Sequence, residues 1–200
     1  MTALAAIEPG EADAMLQRPK RPDYDRIRRE TAEAVRAELE AIPDPVDRIV
    51  AAGKIMDDST VAARRPRRAR NEAALSLSFY DRERGVSTLA GFRSRTPFYK
   101  LRCEALELEP YQLSKMTPEG IEQKAKKRNV KQIPWWKAIR DVVKHGERAA
   151  HLQQRIDTAS EIRNALIREV VEKGMISQVE LSRRLGVLEG RISQIVHDTK

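Results

Sequence analysis

Gln178-Val179-Glu180-Leu181-Ser182-Arg183-Arg184-Leu185-Gly186-Val187-Leu188-Glu189-Gly190-Arg191-Ile192-Ser193-Gln194-Ile195-Val196 is the stretch that decides how this chain folds. Two short helices that cross at a tight turn need apolar residues where they meet. They also need a small residue at the crossing and a turn residue that tolerates positive φ. Leu181, Leu185, Val187, Ile192 and Ile195 supply the apolar set, Ser182 the small residue and Gly186 the turn. The spacing predicts one helix on each side of Gly186.

These residues resemble bacterial helix-turn-helix DNA-binding domains of the sigma-factor region 4-like and repressor-like groups. There a turn glycine leads into an Arg-Ile/Val-Ser-Gln-Ile recognition helix. The resemblance covers about residues 160–198. It implies that the second helix enters the major groove and turns Glu189, Gly190, Arg191, Ser193, Gln194 and His197 towards base edges. Gln194 would pair with adenine, and Arg191 with guanine or phosphate. Gln178, Arg183 and Arg184 would meet backbone phosphates. Two positions depart from the pattern. Leu188 stands where a Ser or Thr cap is usual, and Glu189 sets an acid beside the expected phosphates. An exposed Leu188 would mark a protein contact instead.

Upstream, the apolar residues recur at helical spacing. Pro134 opens a long helix through Trp135, Ile139, Val142, Gly146, Ala149, Ile156, Ala159 and Leu166, with a bend or break expected at Gly146. Ser160 is a candidate cap for a fresh helix that Gly174 ends. Ile27, Ala34, Val35, Leu39 and Ile42 predict a helix over residues 24–42, stopped by Pro43-Asp44-Pro45. Asp44 then caps a second helix with Val46, Ile49, Val50, Gly53 and Met56 inward, ending near Ser59-Thr60. Pro66 is expected to kink or restart the chain before a helix over residues 67–80 that buries Ala73, Ala74 and Leu77. Residues 107–133 read as a basic linker with a short helix, Pro118–Arg128, capped by Thr117.

Shifting the chain by 93 residues pairs Ile49 with Val142, Gly53 with Gly146 and Phe92 with Leu185. This pattern predicts a degenerate second copy of the motif at about residues 67–106. Its first helix would be Val86–Phe92. Its second would be capped by Thr96, with Phe98, Leu101 and Ala105 inward and Arg93, Arg95, Tyr99, Lys100 and Arg102 outward. An ordinary helical bundle is the alternative. The expected fold is an all-α helical bundle with a C-terminal helix-turn-helix and this second copy. Its layout is a flexible tail at 1–22, a helical domain at 23–106, the linker at 107–133 and a long helix with the C-terminal motif at 134–200.

The chain has 200 residues, 38 Lys+Arg against 30 Asp+Glu, and a formal net charge of +8. The excess is not uniform. Residues 62–105 hold 11 basic and 4 acidic side chains, and residues 124–156 hold 10 and 2. The first block contains Arg64, Arg65, Arg67, Arg68 and Arg70; the second contains Lys124, Lys126, Lys127, Arg128 and Lys131. Such blocks attract polyanions and neutralise phosphates, and they also serve as solvated faces.

Other classes find little support in the sequence. No apolar run reaches the ~20 residues a membrane span needs. The start, Met1–Ile7, has no basic n-region, so a cytoplasmic chain is expected. The lone Cys103 has no disulfide partner, although neighbouring Lys100 and Arg102 raise the question of a reactive thiol. His145, His151 and His197 share no ligand spacing, and no nucleotide loop, cofactor motif or catalytic constellation appears. The Trp135-Trp136 pair reads as a buried anchor at a helix start.

The expectation is therefore a non-enzymatic, sequence-specific double-stranded DNA-binding protein, a transcriptional regulator without a cofactor. Homodimerisation through the 134–159 or 24–58 helices would present two recognition helices one helical turn apart. Two alternatives stay open. One is an interaction module docking on RNA polymerase or another DNA-bound complex. The other is a plasmid or phage maintenance factor.

Overall fold

Asp44 and Pro45 open the second helix as their chemistry dictates. The Asp44 Oδ1 accepts from the Val46 and Asp47 amides, each at 2.8 Å, and Pro45 takes the first helical position, where no amide is needed. The computed structural model of the chain describes residues 19–79, 86–90, 92, 95–130 and 132–197. Among these residues every regular element is a helix: α1 (Tyr24–Glu40), α2 (Pro45–Ser78), α3 (Val86–Leu89), α4 (Arg95–Leu106), α5 (Pro110–Leu113), α6 (Pro118–Lys127), α7 (Trp135–Glu172), α8 (Gln178–Leu185) and α9 (Glu189–His197). None of them is long and apolar enough to cross a membrane.

The chain forms two compact units. One holds residues up to Tyr24 together with Arg65–Ala149; the other holds Asp25–Arg64 with Ala150–Lys200. Each is assembled from stretches far apart in sequence, whereas the linear reading divides the chain into consecutive blocks. The reason lies in α2 and α7, whose apolar faces each contribute to both units.

In the first unit, Ala73, Ala74 and Leu77 of α2 pack with Leu89, Ala90, Leu101 and the α7 residues Ala138, Ile139, Val142 and Val143. A neighbouring cluster joins Leu75, Cys103, Leu106, Leu113 and Ala125. The stretch read as a basic linker thus carries α5 and α6 and buries Leu113 and Ala125. Thr117 caps α6 as expected, accepting from the Gly120 amide at 3.2 Å. Burial raises the Cys103 thiol from its ordinary value despite the opposing charge of Arg102, so the thiol is kept protonated rather than activated.

In the second unit, Val35 and Leu39 of α1 pack on Ala52, Ile55 and Ala159. A further cluster joins Val46, Ile49, Ile167 and Val170 to Leu181, Ile192 and Ile195. Val50, expected inward, is 42% exposed, and Ala52 and Ile55 take the buried positions instead. Arg48 fixes the α1–α2 connection by donating from Nε and Nη2 to the Ile42 carbonyl at 3.1 and 2.8 Å.

At four positions where an end or a restart was expected as a candidate, the helices continue. α2 passes Ser59-Thr60 and continues through Pro66. The proline removes one intrahelical bond and crowds the Ala62 carbonyl. Ala62 is exposed, so water can serve that carbonyl, while buried Ala63 and Asn71 anchor the helix on either side. α7 likewise runs unbroken through Gly146 and Ser160. The Gly146 site explains its residue. A Cβ there would lie 3.0 Å from the Tyr24 hydroxyl and 3.5 Å from the Ala90 carbonyl, and that hydroxyl donates to the Leu89 carbonyl at 2.9 Å. The glycine permits a close approach rather than a break. α7 does end at Gly174, with φ at +63°.

His145 of α7 is half-buried. Burial lowers its imidazole from the ordinary value; Asp141 opposes the shift, and the charges of Lys144 and Arg65 add to it. Between the lowered folded value and the ordinary value of about 6.5, the unfolded chain binds the extra proton. His145 therefore contributes stability above about pH 6.5 that is lost as the pH falls towards the folded value. Urea midpoints measured at pH 7.5 and 5.5 should drop further for the natural chain than for His145→Gln; equal drops would refute this assignment.

Candidate nucleic-acid interface

The candidate interface is built from α8, α9 and the turn between them. Ser177 caps α8, its hydroxyl accepting from the Glu180 amide at 3.1 Å. At the other end Gly186 adopts φ +64° and ψ +27°. Its amide donates to the Arg183 carbonyl at 3.3 Å, and the Val187 amide to the Ser182 carbonyl at 3.1 Å. This left-handed ending satisfies the last carbonyls of α8 and redirects the chain. Val187 then turns back onto the cluster that holds Leu181. Ser182 is buried where the helices meet and donates its hydroxyl proton to the Val179 carbonyl at 2.7 Å.

α9 begins at Glu189, and the Arg191 amide donates to the Leu188 carbonyl at 2.9 Å. Ile192 and Ile195 are buried, and Arg168 of α7 donates from Nε to the Ile195 carbonyl at 3.0 Å. Glu189, Gly190, Arg191, Gln194 and His197 are exposed and Ser193 is half-buried, as a helix anchored by Ile192 and Ile195 requires. The outer side chains are linked to one another. Arg191 Nη1 donates to Gln194 Oε1 at 2.6 Å. His197 Nδ1 lies 2.7 Å from the Ser193 carbonyl, which sets Nδ1 as the protonated nitrogen. On α8, Arg183 and Arg184 are exposed and both pair with Glu180, at 3.8 and 3.3 Å, while Gln178 is half-buried.

A residue outside the sequence-derived set joins this surface. Arg163 of α7 is half-buried, with its Nε buried and lacking a hydrogen-bond partner among the described residues. Burial, then the like charge of Arg191, lower its guanidinium from the ordinary value, and Asp57 opposes them. Sequence spacing does not reveal this influence of Arg191 on Arg163, because the 27 residues between them turn through Gly174 and Gly186.

The upstream basic candidates divide. Arg64, Arg65, Arg68, Lys100, Lys126 and Lys127 are exposed; Arg67, Arg102, Lys124 and Arg128 are half-buried. Arg68 pairs with Glu72 at 2.8 Å, Lys126 with Glu122 at 2.9 Å, and Arg128 with Glu107. Arg70 is structural in character. It donates to Asn71 Oδ1 from two nitrogens at 3.2 Å, lies 5.7 Å from the Phe92 ring centre, and is lowered by burial. Arg102 stacks 5.7 Å from the Tyr99 ring. Arg93, Lys131 and the side chains of Arg95 and Phe98 lie outside the described residues, as does residue 18 of the N-terminal tail with everything before it.

In the proposed second copy, α3 spans only Val86–Leu89 and α4 starts at Arg95, ahead of the expected Thr96 cap. Leu101 is buried and Lys100 exposed, as expected, whereas Ala105, expected inward, and Tyr99 and Arg102, expected outward, are half-buried. Among the described residues no group of three or more His, Cys, Asp or Glu could hold a metal ion. No family model, no curated protein and no solved structure matches the chain.

Proposed function

We propose that this chain is a double-stranded DNA-binding protein, a transcriptional regulator that reads its site with α9 in a helix-turn-helix. The observation that carries this reading is the polar outer face of α9. Glu189, Arg191, Gln194 and His197 stand exposed on a short helix whose opposite side, Ile192 and Ile195, is locked into the core. Gly190 adds a point of close backbone approach, since nothing lies within 4 Å of where its Cβ would be. Arg191 supplies an exposed cation on the same face for a phosphate or a guanine edge.

The test is a gel shift against genomic fragments across a salt series. A preferred fragment with a salt-dependent affinity is the expected result; no binding at low salt overturns the proposal. Gln194→Ala should relax the base preference by roughly tenfold, equivalent to about 1–3 kcal/mol for one base contact, and leave the salt slope nearly unchanged. A variant with undiminished preference would remove Gln194 from base reading.

Leu188 favours a second reading. It is 84% exposed at the tip of the turn, a position suited to docking on a protein such as RNA polymerase. Under that reading Leu188→Ser abolishes co-purification with the polymerase while duplex binding is absent from the natural chain.

A further inference from the structure

Positive charge separates by compact unit. Residues 65–149 hold 20 Lys/Arg against 10 Asp/Glu, whereas residues 25–64 and 150–200 together hold 15 against 16. The unit that carries α8 and α9 is thus nearly neutral, and the other holds the excess. Within it, α7 presents Lys137, Arg140, Lys144 and Arg148. At 100° per residue these four fall within an arc of about 80°. Lys137, Lys144 and Arg148 are exposed, and among the described residues none of these three makes an ion pair. Arg140 is half-buried and stacks 5.9 Å from the Trp136 ring, which stiffens it as a planar donor. Asp141 and Glu147 flank the arc at its two edges rather than interrupting it.

We propose that Lys137, Arg140, Lys144 and Arg148 form a phosphate-binding face for the backbone of duplex nucleic acid. Eleven residues of helix rise about 16 Å, the axial length of about five phosphates on one strand. Four cations in one row with no carboxylate between them match a row of phosphates better than an acidic peptide, whose carboxylates carry no fixed axial repeat. The face rests on the reading of the chain as a duplex-binding protein. It assigns the sequence-independent share of affinity to α7, leaving base preference to α9.

The experiment uses the full chain, a labelled duplex of random sequence and salt from 50 to 200 mM. The comparison is a variant carrying Lys137→Gln, Arg140→Gln, Lys144→Gln and Arg148→Gln, with circular dichroism confirming retained helix. Each lost phosphate contact lowers the salt slope by about 0.9, so the variant should lose about 3.6 from the slope and at least about tenfold in affinity. Unchanged slope and affinity overturn the face and leave the α9 reading standing. Random duplex bound by the natural chain and lost in the variant, with no preferred fragment and no effect of Gln194→Ala, supports the face and overturns the α9 reading. Binding to phosphatidylserine vesicles that the variant loses, with duplex affinity unchanged, overturns the proposal in favour of a membrane surface. No duplex binding by the natural chain overturns both.

Discussion

Leu181→Ala is expected to destabilise the unit that contains α8 and α9 by about 3 kcal/mol, within the range for emptying a buried leucine site. Leu181 has no exposed surface and packs with Val46 and Ile49 of α2, Ile167 and Val170 of α7, and Ile192 and Ile195 of α9. It is a point where several helices meet, so the surroundings cannot close over the cavity without shifting more than one of them. In urea unfolding followed by circular dichroism, the midpoint should fall by about 1 M or more, with the slope unchanged. Val179→Ala, two positions earlier and 41% exposed, is the control and should cost less than about 0.5 kcal/mol. Equal effects of the two variants would mean that α8 is not held through Leu181.

Gly146→Leu should be comparably damaging to the other unit, at about 3 kcal/mol. The Cβ alone would sit 3.0 Å from the Tyr24 hydroxyl, and the rest of the side chain would have to enter the space held by Ala90. Moving Tyr24 away also breaks its hydrogen bond to the Leu89 carbonyl. Both tryptophans of the chain, Trp135 and Trp136, lie in this unit, so their fluorescence reports its unfolding directly. A paired measurement isolates the cause. In a Tyr24→Phe background the hydroxyl is gone and the Ala90 contacts are ordinary ones. There Gly146→Ala should stabilise the unit by about 1 kcal/mol through helix propensity. If Gly146→Leu is harmless, the close approach of Tyr24 does not constrain this glycine.

Much of this architecture was legible locally. Asp44, Thr117 and Gly186 each act through bonds to residues two to four positions away, so their roles are written in a few neighbouring letters. Ile192 and Ile195 were legible because their spacing alone forces them onto one side of α9. The continuity of α2 and α7 was not legible. Pro66 and Gly146 look like breakers in isolation, and what overrides them is tertiary. Buried Ala63 and Asn71 hold α2, and Tyr24, 122 positions from Gly146, fills the space a side chain would need. Arg163 was hidden for the same reason. Only the return of the chain through two left-handed glycines brings it to Arg191.

The hydrogen bond from Arg191 to Gln194 gives the outer surface of α9 a grammar of its own. With one of the two Oε1 lone pairs accepting from Arg191, the carboxamide of Gln194 keeps its two N–H donors and one acceptor lone pair. The oxygen that would accept from adenine thus already accepts from the guanidinium, so the bond to Arg191 orients the amide that meets the base edge. The two side chains would therefore choose their contacts jointly, as a single two-letter word. Substituting both should cost less than the sum of the separate losses.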